Sequence, residues 1–261
     1  MNIEDFSYMR RGKQLELLTH QQAHLLEPVN IRRSGAKHAL LLLHGFSSSP
    51  AVYRQLIPRL TNYDAIVCPK LPGHGESIAA FTQTKASEWI AAAEHAYEGL
   101  SKEYKQVSVV GLSLGGVLAC HLSQRFTLHH LYLLAPALIL RLNIPLALRL
   151  GHVLQLLGCK SIRNRAGSLC THLHSELAYR KLPIATVIEI LTLIHNFHFV
   201  PPSCPTDLFL GRFDKVVNSN LVEKIFADAP NVAVHWLANS AHVLPLDSDI
   251  ATIAECLQRN A

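Results

Sequence analysis

VVGLSLGGVLAC, Val109 to Cys120, leaves an apolar run, turns on glycines around a single serine and enters a second run of small apolar residues. Among 13 glycines a bare G-x-S-x-G arises easily by chance, so its flanks decide what it means. Val107 to Val110 reads as a buried strand and Leu114 to Arg125 as a helix. A turn that sharp leaves almost no space two residues before and after its apex, where strand and helix backbones crowd; glycine is what fits. Gly111 and Gly115 hold those two positions, and Gly116 adds room. Ser113, at the apex, is thrust outward over a helix N-terminus with its unpaired N–H groups and positive dipole end. Such a turn presents a nucleophile.

A serine hydroxyl is a poor nucleophile at neutral pH unless a base takes its proton and an acid orients that base. The partners should follow in the order acid, then histidine, each just beyond a later strand. Asp214 follows the run Leu208 to Leu210 in LFLGRFDKVV, and His242 follows Val232 to Leu237 in HWLANSAHVLPLD. Sixteen histidines make one near the C-terminus unremarkable, but order and strand-end placement coincide three times over. His235 lies inside a strand, where packing or surface exposure accounts for it. Asp247 and Asp249 come after His242 and read as caps of the last helix.

Attack on a carbonyl also needs donors for the developing oxyanion. The Leu114 N–H, first in the helix, supplies one. LLLLHGFSSSP offers the second: Leu40 to Leu43 is a buried strand, His44-Gly45 a turn, and the Phe46 N–H the natural donor, with the Phe46 ring bordering a substrate pocket. His44 reads as a residue that hydrogen-bonds its own loop. LPGHGES, Leu71 to Ser77, is another strand exit, and His74 a packing residue ahead of a site residue. Nothing in this chemistry requires a metal or organic cofactor, and no His/Cys spacing suggests zinc, His172-x-His174 included.

Outward from this centre, Leu- and Val-rich runs at Ala39 to Leu43, Ala65 to Val67, Gln106 to Val110, His130 to Leu134, Asp207 to Leu210 and Val232 to Leu237 alternate with helical segments. Ser49-Pro50 opens one helix, Thr84 to Leu100 spaces its apolar residues helically, and Asn220 with Glu223 resembles a capping pair. The alternation predicts an α/β fold with a mostly parallel central sheet and helices on both faces. One interval, between Ala135 and Asp207, exceeds any ordinary connection. It holds two strongly apolar helices, Asn143 to Gly158 and Pro183 to His195. Residues 1–138 and 206–261 therefore read as the core, and 139–205 as an inserted helical cap over the carboxyl edge of the sheet.

The chain has 261 residues, 49% of them hydrophobic, enough for one large core. Its net charge of +5 is scattered along the sequence, which disfavours nucleic acid as a partner. The six cysteines show no C-x-x-C and read as buried reduced thiols. MNIEDFSYMRRGKQ has acids before its bases and no apolar segment of signal-peptide type, and no apolar run is long enough to span a bilayer. The expectation is a cytoplasmic protein.

His44-Gly45-Phe46, Pro72-Gly73-His74-Gly75, Gly111-Leu112-Ser113-Leu114-Gly115-Gly116, Gly211 with Asp214-Lys215-Val216-Val217, and Ser240-Ala241-His242 together resemble the α/β-hydrolase superfamily, in particular small carboxylesterases and monoacylglycerol-lipase-like serine hydrolases. The resemblance implies Ser113 as nucleophile, Asp214 and His242 as its partners, and the Phe46 and Leu114 N–H groups as the oxyanion hole. It departs from the family at Ala241, often glycine, and at Leu210-Gly211, where His-Gly is usual. The apolar stripes of the insertion (Leu146, Leu150, Leu154, Leu157, Ile184, Ile188, Leu191) suggest packing on the body with some residues facing the serine. The substrate expected is a short- to medium-chain acyl ester or a monoacylglycerol. A thioesterase or lysophospholipase would use the same groups, and a non-catalytic binding protein on this scaffold is the remaining alternative.

Overall fold

A computed structural model describes residues 1–261, and its elements follow in chain order. β1 (Phe6–Arg10), β2 (Lys13–Leu17) and β3 (Val29–Arg32) precede β4 (His38–Leu43), β5 (Ala65–Cys68), α1 (Ile78–Gln83), α2 (Ala86–Glu103), β6 (Gln106–Leu112), α3 (Leu114–Arg125) and β7 (Leu131–Leu134). Then come α4 (Ile144–Leu156), β8 (Ser161–Arg163), β9 (Glu176–Tyr179), β10 (Lys181–Pro183), α5 (Ile184–Asn196), β11 (Thr206–Gly211), α6 (Ser219–Ile225), β12 (Val232–Leu237) and α7 (Ile250–Arg259).

Seven strands form the central sheet in the order β12-β11-β7-β6-β4-β5-β3. Every pairing is parallel except that of the edge strand β3 with β5. Alternate residues of β4 show why this sheet needs cover on both sides. Ala39, Leu41 and Leu43 enter a core with Trp89 of α2, Leu118 of α3 and Val222 of α6; Leu40 and Leu42 enter a second core with Ile253 and Leu257 of α7. All six β4 residues are buried, as parallel strands between two helical layers must be. The edge strand β12 has only Leu237 buried.

The six strands expected from the sequence are all present, most of them a residue or two longer than expected. Two local expectations are corrected. Ser49-Pro50 opens only a single 3-10 turn, Pro50–Tyr53, because Pro58 follows within two turns and cannot continue a helix. The cap of α6 is Asn218, whose side chain accepts the Leu221 N–H at 3.3 Å; Glu223 instead accepts the Trp236 indole N–H at 2.8 Å.

The chain between β7 and β11 holds more than helices. β8 pairs with β10, and β9 pairs antiparallel with β1, so the N-terminal hairpin β1-β2 extends a three-stranded sheet begun by the insertion. α4 and α5 cross closely at Gly151, where a Cβ would meet Ile188 Cγ1 at 3.0 Å. α5 is anchored on the body by the Thr186 hydroxyl, which donates to the Phe81 carbonyl at 2.8 Å. The stripe of α4 behaves otherwise than expected. No α4 residue is buried, and Leu146, Leu150 and, at its C-cap, Leu157 are 54%, 55% and 73% exposed.

Candidate active site

Three separate loops at the carboxyl edge of the sheet carry the expected residues: those after β6, β11 and β12. Ser113 sits between β6 and α3 with φ 55° and ψ −111°, a conformation that costs a side-chain-bearing residue about 1–3 kcal/mol. The buried leucines of α3, Leu114, Leu118 and Leu122, each contribute about 2 kcal/mol on burial and outweigh that strain. Glycines make the turn possible. A Cβ on Gly111 would lie 2.2 Å from the Gly115 carbonyl oxygen, and one on Gly115 would lie 2.0 Å from the Leu43 carbonyl oxygen of β4.

His242 Nε2 lies 3.0 Å from Ser113 Oγ, positioned to accept the hydroxyl proton. On the other side of the ring Nδ1 donates to Asp214 Oδ2 at 2.8 Å. The second carboxylate oxygen of Asp214 accepts the N–H groups of Val216 (2.7 Å) and Val217 (2.9 Å), which fixes the carboxylate plane. Burial alone would lower the pKa of the imidazole; the charge and hydrogen bond of Asp214, with the charge of Glu176, outweigh it and hold His242 above its ordinary value. Burial alone would raise the Asp214 carboxyl, but the His242 charge, its hydrogen bond and the two backbone N–H groups hold it below the usual range. Both shifts favour the ion pair that forms when the imidazole takes up a proton.

The loop after β4 lies against the same serine. A Cβ on Gly45 would stand 3.5 Å from Ser113 Cβ, so the backbone leading to Phe46 runs alongside the serine. The Phe46 N–H makes no hydrogen bond within the chain, and Leu114, first in α3, has no intrahelical acceptor for its N–H. His44 shapes this loop as expected: the Leu71 N–H donates to its Nε2 at 3.1 Å, its Nδ1 donates to the Gly45 carbonyl at 3.0 Å, and burial lowers its pKa to about 4. His74 is fully buried, edge-on to Phe46 and Trp89, and packs beneath the loop.

Several residues that position the site had other readings in the sequence or none. Asp247 does not cap α7. It accepts the N–H groups of Ala241 (2.7 Å), Cys170 and Thr171, tying the His242 loop to the segment before β9. Asp249 stands at the start of α7, but its carboxylate accepts from the Ser240 hydroxyl (2.8 Å) and the Asn239 N–H. Gly211 ends β11 where a Cβ would be 1.9 Å from the Ala241 carbonyl oxygen, so the histidine loop passes directly over it. Glu176, on β9, accepts the Gly167 N–H at 2.7 Å, and burial pushes its carboxyl above the usual range. Only the Ser240-x-His242 spacing and the glycine at the strand end hinted at these contacts.

A second Asp-His cluster occupies the opposite edge of the sheet. Asp207 accepts from His130 Nε2 (2.7 Å) and His235 Nε2 (2.5 Å), and donor atoms of Asp207, His235 and Cys256 lie within 4.8 Å of one another. These are the residues that could hold a metal. Asp207 is already bonded on both oxygens, and burial pushes the Cys256 thiol up to about 12, so the group as it stands is a hydrogen-bonded pin between β11, β12 and α7.

Residues 40–255 match the alpha/beta hydrolase family. The chain is 29% identical over 226 residues to the thermostable monoacylglycerol lipase of Bacillus sp. (strain H-257), a match spanning 83% of this chain and 87% of that protein. It is 25% identical over 228 residues to a carboxylesterase of Bacillus subtilis (strain 168), spanning 82% and 88%. A solved structure described with the metagenome-derived lipolytic enzymes LipS and LipT superposes with a TM-score of 0.79 at 25% identity, covering 90% of this chain and 98% of that one. No helix of the chain is long and apolar enough to cross a membrane.

Proposed function

The chain belongs to the alpha/beta hydrolase family, and on that premise we propose that it hydrolyses small-molecule carboxylic esters, short- to medium-chain acyl esters or monoacylglycerols, through a Ser113-His242-Asp214 triad and an acyl-enzyme. The observation that carries the reading is the continuous pair of hydrogen bonds, 3.0 and 2.8 Å, linking the strained serine to a buried carboxylate through one imidazole. The names of the two Bacillus relatives support the substrate class.

In the first step Ser113 Oγ bonds to the acyl carbon while His242 Nε2 takes the hydroxyl proton, and the carbonyl π electrons pass to oxygen. That oxyanion is held by the Phe46 and Leu114 N–H groups; one such donor is worth about 10²- to 10³-fold in rate. The imidazolium, stabilised by Asp214, then protonates the leaving oxygen as the ester C–O bond breaks. Water repeats the sequence on the acyl-enzyme, and Ser113 regains its proton. Residues 1–138 and 206–261 supply this chemistry. Residues 139–205 serve as the cap that, with Phe46, shapes the acyl pocket.

A fluorophosphonate probe should label Ser113 stoichiometrically, and kcat/KM across p-nitrophenyl esters of rising acyl length should peak at a short or medium chain. Absence of both labelling and turnover would return the chain to a binding role.

A further inference from the structure

Three of the 24 Lys and Arg residues, far apart in the sequence, meet in one place. A cleft of about 790 Å³ opens between the tip of the β1-β2 hairpin, the segment before β9 and the turn that carries Asp214. Arg11, Arg165 and Lys215 line it, beside apolar Leu169, Phe213 and Val216, and no carboxylate does. Arg165 and Lys215 are exposed and form no ion pair. Arg11 donates to the Leu169 and Cys170 carbonyls at 3.3 and 3.0 Å, which fixes its charge at the rim. It does so at φ 51° in a two-residue turn with Gly12, where glycine or asparagine is the usual choice. Asp247, behind Cys170, is turned inward and occupied by four backbone N–H groups, those of Cys170, Thr171, Ala241 and Ser248. The nearest acids are engaged elsewhere: Asp214 with His242, Glu176 with the Gly167 N–H and Asp249 with Ser240 and Asn239.

The cleft reaches the backbone on either side of the site's acid and histidine rather than their side chains. Ala241 lines it, and so does Ser168, whose carbonyl accepts the His242 N–H at 3.0 Å and the Val243 N–H at 3.1 Å. In acyl transfer His242 delivers its proton to the leaving group, so the leaving group sits on the side of the site where His242 sits. A neutral alcohol such as glycerol offers three cations hydrogen-bond acceptors but no countercharge. We infer that the cleft receives a leaving group carrying phosphate, so that the favoured substrate is an acyl ester or thioester of a phosphorylated alcohol or thiol. The inference rests on the hydrolase reading and narrows it to a leaving-group class.

Exposed charges are individually modest, roughly two- to fivefold each, and three acting on one dianion give a preference of about tenfold or more that salt should erode. The test compares kcat/KM for 1-octanoylglycerol, 1-octanoylglycerol 3-phosphate and octanoyl-CoA at low and high sodium chloride, in the native chain and in the double variant Arg165→Gln, Lys215→Gln. Arg11 is left intact because its hydrogen bonds hold the fold of the cleft. A phosphate-bearing substrate should be favoured about tenfold at low salt, and that ratio should fall roughly two- to fivefold per charge removed. The glycerol phosphate and CoA arms distinguish a lipid-type headgroup from a nucleotide-type carrier. Equal turnover of neutral and phosphorylated esters, indifferent to salt and to the double variant, overturns the inference and leaves the hydrolase reading standing. No turnover of any ester, with no probe labelling at Ser113, removes the hydrolase reading itself.

Discussion

Two Asp-His clusters lie at opposite ends of the same pair of strands. Asp214 and His242 follow β11 and β12 at the carboxyl edge; Asp207 and His235 sit within those strands, toward the amino edge. The distances are alike, yet the surroundings differ in what is left free. His242 spends one nitrogen on its carboxylate and turns the other to a serine hydroxyl held at a strained helix start. Asp207 is gripped by two histidines, and the nearest nucleophile, Cys256, is a thiol that burial keeps protonated. On the proposed reading an Asp-His pair becomes chemical only where a turn delivers a hydroxyl to the unused nitrogen, and the carboxyl edge, where loops and helix N-termini gather, is where such a turn sits.

The sharpest way to break the contrast is Ser113→Ala, which should lower kcat for p-nitrophenyl butyrate by about 10⁶-fold with an unchanged melting transition. Residual activity above about one percent would mean that another nucleophile works, and Cys256 would have to be reconsidered. Asp214→Asn should cost about 10⁴-fold, because the imidazole then loses the partner that fixes its tautomer.

The pH profile sharpens the same point. Protonated His242 cannot accept the serine proton, so kcat/KM should fall as pH drops through its pKa, which Asp214 holds above the ordinary imidazole value. In Asp214→Asn that acid limb should move to lower pH. A limb that stays in place would show that Asp214 does not set it.

At the other edge Asp207→Asn should destabilise the fold by about 2 kcal/mol in urea denaturation, since two histidines lose a charged acceptor, while kcat changes by less than about twofold. A large loss of kcat with little loss of stability would erase the distinction between the clusters. The smallest effect belongs to α4. Leu156→Gln, at a side chain 87% exposed, should shift stability by less than about 0.5 kcal/mol.

How much was legible in the sequence follows from the range over which each feature is determined. The strands were legible because a parallel sheet buried on both faces needs continuous apolar runs, and HALLLL can be little else. The β1-β2 hairpin was not, because its polar, exposed β2 follows no burial rule and the other partner of β1, β9, lies more than 160 residues on. The expectation that the α4 stripe packs on the body failed for a similar reason: helical spacing of leucines sets which residues share a face, but not what that face meets.

By itself the sequence determined the glycine-flanked bend that lifts Ser113 and the order in which an acid and a histidine follow later strands. Both are local consequences of backbone crowding and strand-end placement, written within a few residues. Only the tertiary structure decided that the carboxylates of Asp247 and Asp249 hold the histidine loop, Asp249 doing so from the N-cap position of α7, and that Gly211 must be bare for that loop to pass. It also decided that Arg11, Arg165 and Lys215 face one cleft. These contacts join residues far apart in the chain, and no local periodicity encodes which distant segments packing will bring together.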